Sequence, residues 1–157
     1  MMQVKFKLNA EMVACDIAGH ETLLAVLRDK LGVMEVKYGC GEGACGACVV
    51  LVDDTPAASC ITLCASVEES EIMTVKAPDP SGVWTLLQER FAAHEAAQCG
   101  FCSPGLLASS FALVQRGEKL TRQEIREALT GHLCRCTGYQ HIVDAVEEVM
   151  ELWPVMS

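Results

Sequence analysis

Basic residues are scarce in this chain. Twelve lysines and arginines stand against 21 aspartates and glutamates, for a net charge of -9, which argues against nucleic acid or anionic lipid as a partner. Long apolar runs are lacking as well. The longest, Gly105 to Val114, is interrupted by Ser109 and Ser110 and is too short to span a bilayer, so no membrane insertion is expected. The opening MMQVKFKLNAEMVACDIAG has neither a basic flank before an apolar stretch nor a twin-arginine pair, which points to a cytoplasmic setting. There is no Ser/His/Asp set, phosphate loop, dinucleotide fingerprint or internal repeat, so no catalytic residue is assigned.

Cysteine, by contrast, is plentiful, with ten in 157 residues. In a reducing compartment clustered cysteines read as metal ligands before disulfides. Cys40, Cys45 and Cys48 have x4 and x2 spacing with another cysteine further on, the plant-type 2Fe–2S ferredoxin pattern. Their loop, YGCGEGACGAC, has glycine at 39, 41, 43 and 46. Glycine permits the positive-φ backbone that lets a tight loop aim thiolates and N–H groups inward. A four-cysteine zinc site usually builds from two C-x2-C knuckles, and this loop has one. On spacing alone, Cys60 and Cys64 both remain open as the fourth ligand.

A second set reads Cys99-x2-Cys102 with Cys134-x-Cys136. Residues i and i+2 diverge on a helix but face the same way on extended backbone, so the last two belong on a loop. Cys102 precedes Ser103 and Pro104, a cap and first-turn pair, and Thr137 offers a second cap. Two helix N-termini would then point at one anionic group. Zinc could use that arrangement as well as an iron–sulfur cluster. Cys15 shares an inward strand face with Val13 and Ile17 and reads as a small buried hydrophobe. His20, His94 and His141 read as surface or packing residues.

Val4, Phe6 and Leu8, then Val13, Cys15 and Ile17, alternate with the period of half-buried strands. Thr22 caps an expected helix that carries Leu23, Leu24, Val26, Leu27 and Leu31 to a stop at Gly32. Val49 to Val52 and Ile72 to Val75 are short strands, the first turned by Asp53-Asp54, a weaker hairpin pair than Asp-Gly. Lys76 to Gly82 breaks both periodicities and marks a boundary. Beyond it the pattern predicts four helices: 83–96, Ser103 to Gly117, the Thr121–Glu124 capping box to Gly131, and one through Ile142 and Trp153. Short connections predict an antiparallel bundle. The fold class is α+β.

The stretches YGCGEGACGACVVLVDD (38–54), QCGFCSPG (98–105) and LCRCTGY (133–139) together resemble the small iron–sulfur subunit of the molybdenum hydroxylases. That is the family of xanthine dehydrogenase, aldehyde oxidoreductase and carbon monoxide dehydrogenase, and the similarity covers essentially the whole chain. It implies a ferredoxin-like β-grasp domain over residues 1–77 and a four-helix bundle over 83–157, each with one 2Fe–2S cluster. The implied ligands are Cys40, Cys45, Cys48 and Cys60 for the first, and Cys99, Cys102, Cys134 and Cys136 for the second. By position, Gln98 would contact the pterin.

The resemblance also implies partners: a large subunit with molybdenum and its pterin, and a medium subunit with FAD, as a dimer of heterotrimers. The chain would be the electron-transfer subunit of an oxidoreductase, with no substrate site of its own. Electrons would pass from molybdenum through the helical-domain cluster, then the ferredoxin-domain cluster, to flavin. The alternatives are a free-standing two-cluster carrier or redox sensor, and a zinc-stabilised interaction module. The family usually has asparagine where His132 stands and threonine where Ser103 stands. Arg135 either offsets cluster charge or is an ordinary solvated arginine. Apolar residues make up 51% of the chain, more than two small clustered domains need, which suggests surface covered by other subunits.

Overall fold

The computed structural model describes residues 1–156, so residue 157, the end of the expected helical segment, lies outside the described residues. Period-2 patterning makes β1 (Met2–Leu8) and β2 (Glu11–Ile17), paired antiparallel with Val4 opposite Cys15. Asn9 and Ala10 turn them with φ of 48° and 73°, the mirror-image turn that matches strand twist. The second strand therefore already includes Glu11, ahead of the alternating run that begins at Val13.

A second hairpin joins β3 (Val49–Val52) to β4 (Thr55–Ala58). Asp53 and Asp54 take φ of 47° and 62°, so this pair does make the tight turn. Asp53 Oδ1 accepts the N–H of Glu71 at 2.8 Å, and its own N–H donates to the Glu71 carbonyl at 2.9 Å. That external hold offsets what the missing glycine would have supplied. With β5 (Glu71–Met73) the sheet runs β2-β1-β5-β3-β4; β1 and β5 are parallel and the other pairs antiparallel.

Thr22 caps as expected, its Oγ1 accepting from Ala25 N–H at 3.2 Å. Helix α1 (Leu23–Ala25) then widens into a π-helical turn, Val26–Lys30. The cause is an i→i+5 bond from Leu31 N–H to the Val26 carbonyl at 3.1 Å, and Leu31 is left only half-buried. Leu23, Leu24 and Leu27 pack on Val4, Phe6 and Val50 in one core. The opposite face of β3 belongs to a second core, where Leu51 joins Trp84, Leu106, Phe111 and Ile142. Val49–Val52 is a continuous apolar run because both of its faces are covered.

That second core comes from α2 (Val83–Ala93), α3 (Ser103–Gln115), α4 (Arg122–Ala128) and α5 (Gln140–Met156). The first ends three residues early, and α4 stops at Ala128. Asp79 caps α2 from outside, with Oδ2 accepting Thr85 N–H at 2.7 Å. The capping box forms: Thr121 Oγ1 accepts Glu124 N–H at 3.3 Å, and Glu124 Oε2 accepts Thr121 N–H at 2.7 Å. Among the described residues, no helix is long and apolar enough to cross a membrane. The described fold is α+β, a mixed five-stranded sheet with five α-helices.

Candidate metal centres

Cys40, Cys45 and Cys48 lie on the loop leading into β3, and Cys60 follows β4. Gly43 and Gly46 turn that loop with φ of 78° and 72°. Gly39 serves differently: a side chain there would meet Cys45 Sγ at 2.7 Å, so its bareness leaves room for sulfur. The N–H groups of Glu42 and Ala44 point at Cys40 Sγ from 3.5 and 3.3 Å. The Glu42 and Cys45 N–H groups, then Ala44, outweigh burial and bring the Cys40 thiol down to about 6. Cys60 goes the other way: burial, then the Cys48 thiol, push it up to about 11 against the N–H of Gly43. Ser59, fully buried, donates its hydroxyl to the Cys48 carbonyl at 2.7 Å and locks those two segments together.

Cys64 stands apart. It is fully buried, and burial first, then the neighbouring Cys15 and Glu21, push its thiol up to about 11. Cys15, expected to be buried, is only half-buried where it packs against the same core.

At the second set, Cys99 and Cys102 sit on the α2–α3 connection, and Cys134 and Cys136 on non-helical backbone between α4 and α5. Burial, then the Cys134 thiol, push Cys102 up to about 12. Burial also opposes ionisation of Cys134, but the Thr137 hydroxyl, the N–H groups of Cys136 and Thr137, and the Cys102 thiol overcome it and lower its value. Thr137 Oγ1 donates to Cys134 Sγ at 3.1 Å. The Cys99 thiol raises Cys136, against the Cys99 N–H.

Two expectations are corrected here. Cys102, with helical φ and ψ of -81° and -17°, takes the cap position of α3, so Ser103 is already helical and its hydroxyl cannot cap. That buried Oγ has no hydrogen-bond partner. Thr137 does not cap α5, which begins three residues later at Gln140; its hydroxyl goes to sulfur instead. A single helix N-terminus, that of α3, directly follows a cysteine of this set.

The donor set fits a two-iron centre. Thiols meet as pairs: Cys40 with Cys45, Cys48 with Cys60, Cys102 with Cys134, and Cys99 with Cys136. A 2Fe–2S cluster takes four cysteines across two irons. Each thiol–thiol contact marks a place where metal would displace a proton. The unpartnered Ser103 hydroxyl adds a donor next to Cys102.

The two loops touch one another. Leu133 N–H donates to the Cys45 carbonyl at 2.9 Å. The Phe101 ring lies 3.6 Å from where a Gly39 side chain would begin. Tyr139 braces the second loop, its hydroxyl accepting from Cys134 N–H at 2.8 Å and donating to the His132 carbonyl at 3.0 Å. Burial holds the His132 imidazole below its ordinary value, with the Gly46 backbone opposing. Sequence reasoning missed Ser59 and Tyr139 and took Thr137 for a helix cap; only their closeness to the cysteines hinted at a supporting role.

Gln98 is exposed next to Cys99, on a groove of about 620 Å³ shared with Phe91, Glu95, Thr137 and His141. Arg135 and His20 are exposed. His94 and His141 have packing roles: His94 Nε2 pairs with Glu148, and His141 Nδ1 donates to the His94 carbonyl at 2.6 Å.

Two family models match the chain: a 2Fe–2S iron–sulfur cluster binding domain over residues 6–73, and a 2Fe–2S binding domain over 74–147. The nicotine 6-hydroxylase small subunit of Paenarthrobacter nicotinovorans is 41% identical over 92% of this chain and 87% of its own length. The xanthine dehydrogenase iron–sulfur-binding subunit of Escherichia coli O157:H7 is 46% identical, with 80% of each chain covered. A chain in the crystal structure of quinoline 2-oxidoreductase from Pseudomonas putida 86 superposes with a TM-score of 0.90 at 35% identity, covering 98% of this chain and 96% of that one. The chain belongs to the family of small 2Fe–2S electron-transfer subunits of the molybdenum hydroxylases.

Proposed function

We propose that this chain relays single electrons inside a molybdenum hydroxylase, from a molybdenum–pterin centre on a large subunit to FAD on a medium one. In this reading residues 1–77 form a ferredoxin-like β-grasp domain and residues 83–157 a four-helix bundle. Cys40, Cys45, Cys48 and Cys60 would hold one cluster, and Cys99, Cys102, Cys134 and Cys136 the other. When bound, each cluster takes up and gives back one electron, which divides a two-electron oxidation into single steps.

The hydrogen bond from Leu133 N–H to the Cys45 carbonyl carries the proposal. It joins a residue of the first quartet to the immediate neighbour of Cys134, so a short covalent path plus one hydrogen bond connects the two sites. The backbone N–H groups around Cys40, and the Thr137 hydroxyl on Cys134, are the levers by which this chain would set the two potentials. The x4, x2 spacing of Cys40, Cys45 and Cys48 favours a di-iron centre over a single zinc ion at the first site.

Gln98 is assigned the pterin contact, since it stands exposed beside Cys99 and lines a groove with Phe91, Thr137 and His141. No substrate-binding group is assigned to this chain. The assembly would be a dimer of heterotrimers in the cytoplasm. Affinity purification on a tag carried by this chain tests the proposal. Stoichiometric recovery of a molybdenum subunit and a flavin subunit is expected; a stable two-cluster monomer would instead mark a free-standing carrier or redox sensor.

A further inference from the structure

His132 occupies an unusual position between the two candidate centres. It is only 5% exposed, and its Nε2 meets the Ser109 hydroxyl of α3 at 2.7 Å. The other ring edge lies against Gly46, where any side chain would collide with Nδ1. Its backbone is held as firmly as its ring: N–H donates to the Leu129 carbonyl at 3.1 Å, and the carbonyl accepts from Tyr139. Gly46 follows Cys45, and His132 stands two residues before Cys134. The imidazole therefore fills the gap between the two loops, with its far end fixed to α3. Packed interiors transmit such contacts because they contain few voids into which a loop could relax.

We propose that His132 is a positioning residue whose ring sets the separation of the two clusters by holding the Cys45–Gly46 segment against α3 and the Leu133–Cys134 segment. The inference rests on the two-cluster reading above. A shorter side chain cannot reach Ser109 and Gly46 together, so the loops would settle at a different spacing or sample several. Ser109→Ala frees one end of the ring while leaving its volume in place.

The test is magnetic coupling between the two clusters in the dithionite-reduced holo-complex, read by electron paramagnetic resonance at cryogenic temperature. Wild type, His132→Asn, His132→Ala and Ser109→Ala are compared at matched iron and sulfide content. The expected result is resolved mutual splitting in wild type, broadened in Ser109→Ala and reduced or lost in both His132 variants, while each cluster keeps its own signal. Unchanged splitting in iron-replete His132→Ala, or no splitting in wild type, overturns the proposal. Loss of iron from both Ser109→Ala and His132→Asn also overturns it, because the ring would then serve cluster retention instead of spacing. Wild-type complex without two 2Fe–2S clusters would sink the underlying reading itself, a distinct outcome visible in the iron assay.

Discussion

Gly105 of α3 lies against the carbonyl oxygen of Gly46, so near that a β-carbon on Gly105 would overlap it. The contact seats the first-quartet loop on the helix that begins beside Cys102. Gly105 is not among the positive-φ residues, so Gly105→Ala adds no backbone strain and acts by steric overlap alone. It should destabilise the protein by about 1–3 kcal/mol, the usual range for overpacking. Thermal unfolding of the holo-protein measures this, and the spectra of both clusters should shift. An unchanged melting temperature would mean that the two segments are free to part.

Cys136→Ser removes one member of the Cys99–Cys136 pair. Iron should fall from about four to about two per chain, with the plant-type signal intact. Turnover should fail even where the molybdenum centre is complete. Normal turnover in that variant would contradict the proposed order of transfer.

Cys60 and Cys64 were open alternatives on spacing; both are buried in the same core, but Cys60 neighbours the Cys48 thiol whereas the thiol beside Cys64 is that of Cys15, outside the quartet. Cys60→Ser should therefore lose the first cluster. Cys64→Val should keep about four irons per chain, with a stability change under about 1.5 kcal/mol for a near-isosteric apolar exchange. Iron loss on Cys64→Val would reverse the assignment.

The contrast between these cysteines shows where sequence reasoning stops. Strand periodicity located β1 and β2, a short apolar run located β3, and the capping box located α4, because each is written in neighbouring residues. Val49–Val52 could be read as a strand, but not that α3 covers its second face, since that depends on residues more than fifty positions away. Ser103 looked like a cap because its residue type is right; whether it caps depends on the φ and ψ of Cys102, which no residue type dictates. Thr137 likewise gave its hydroxyl to sulfur. The π-helical turn and the burial of His132 between the loops arise from tertiary packing and leave no local pattern.

Asp79 gives a pH-dependent prediction. Burial alone would raise its carboxyl, but hydrogen bonds from Thr85, Trp84 and Ser81 outweigh it and hold the group below the usual aspartate range. A depressed value means stabilisation that is complete above the unfolded-state value, about 3.9, and lost as pH falls through the folded one. Asp79→Ala should cost about 1 kcal/mol, as for loss of a helix cap. Denaturant titrations should show a gap to wild type that stays level between about pH 7 and about pH 5, since both lie above the aspartate value. A gap that closes within that interval would show that the carboxyl is not held below the usual aspartate range.

Metal and sulfide analysis of the purified complex bears most directly on the whole account. About four irons and about four acid-labile sulfides per copy of this chain are expected, with two separate paramagnetic signals on reduction. Zinc in either quartet, or iron without sulfide, would contradict it.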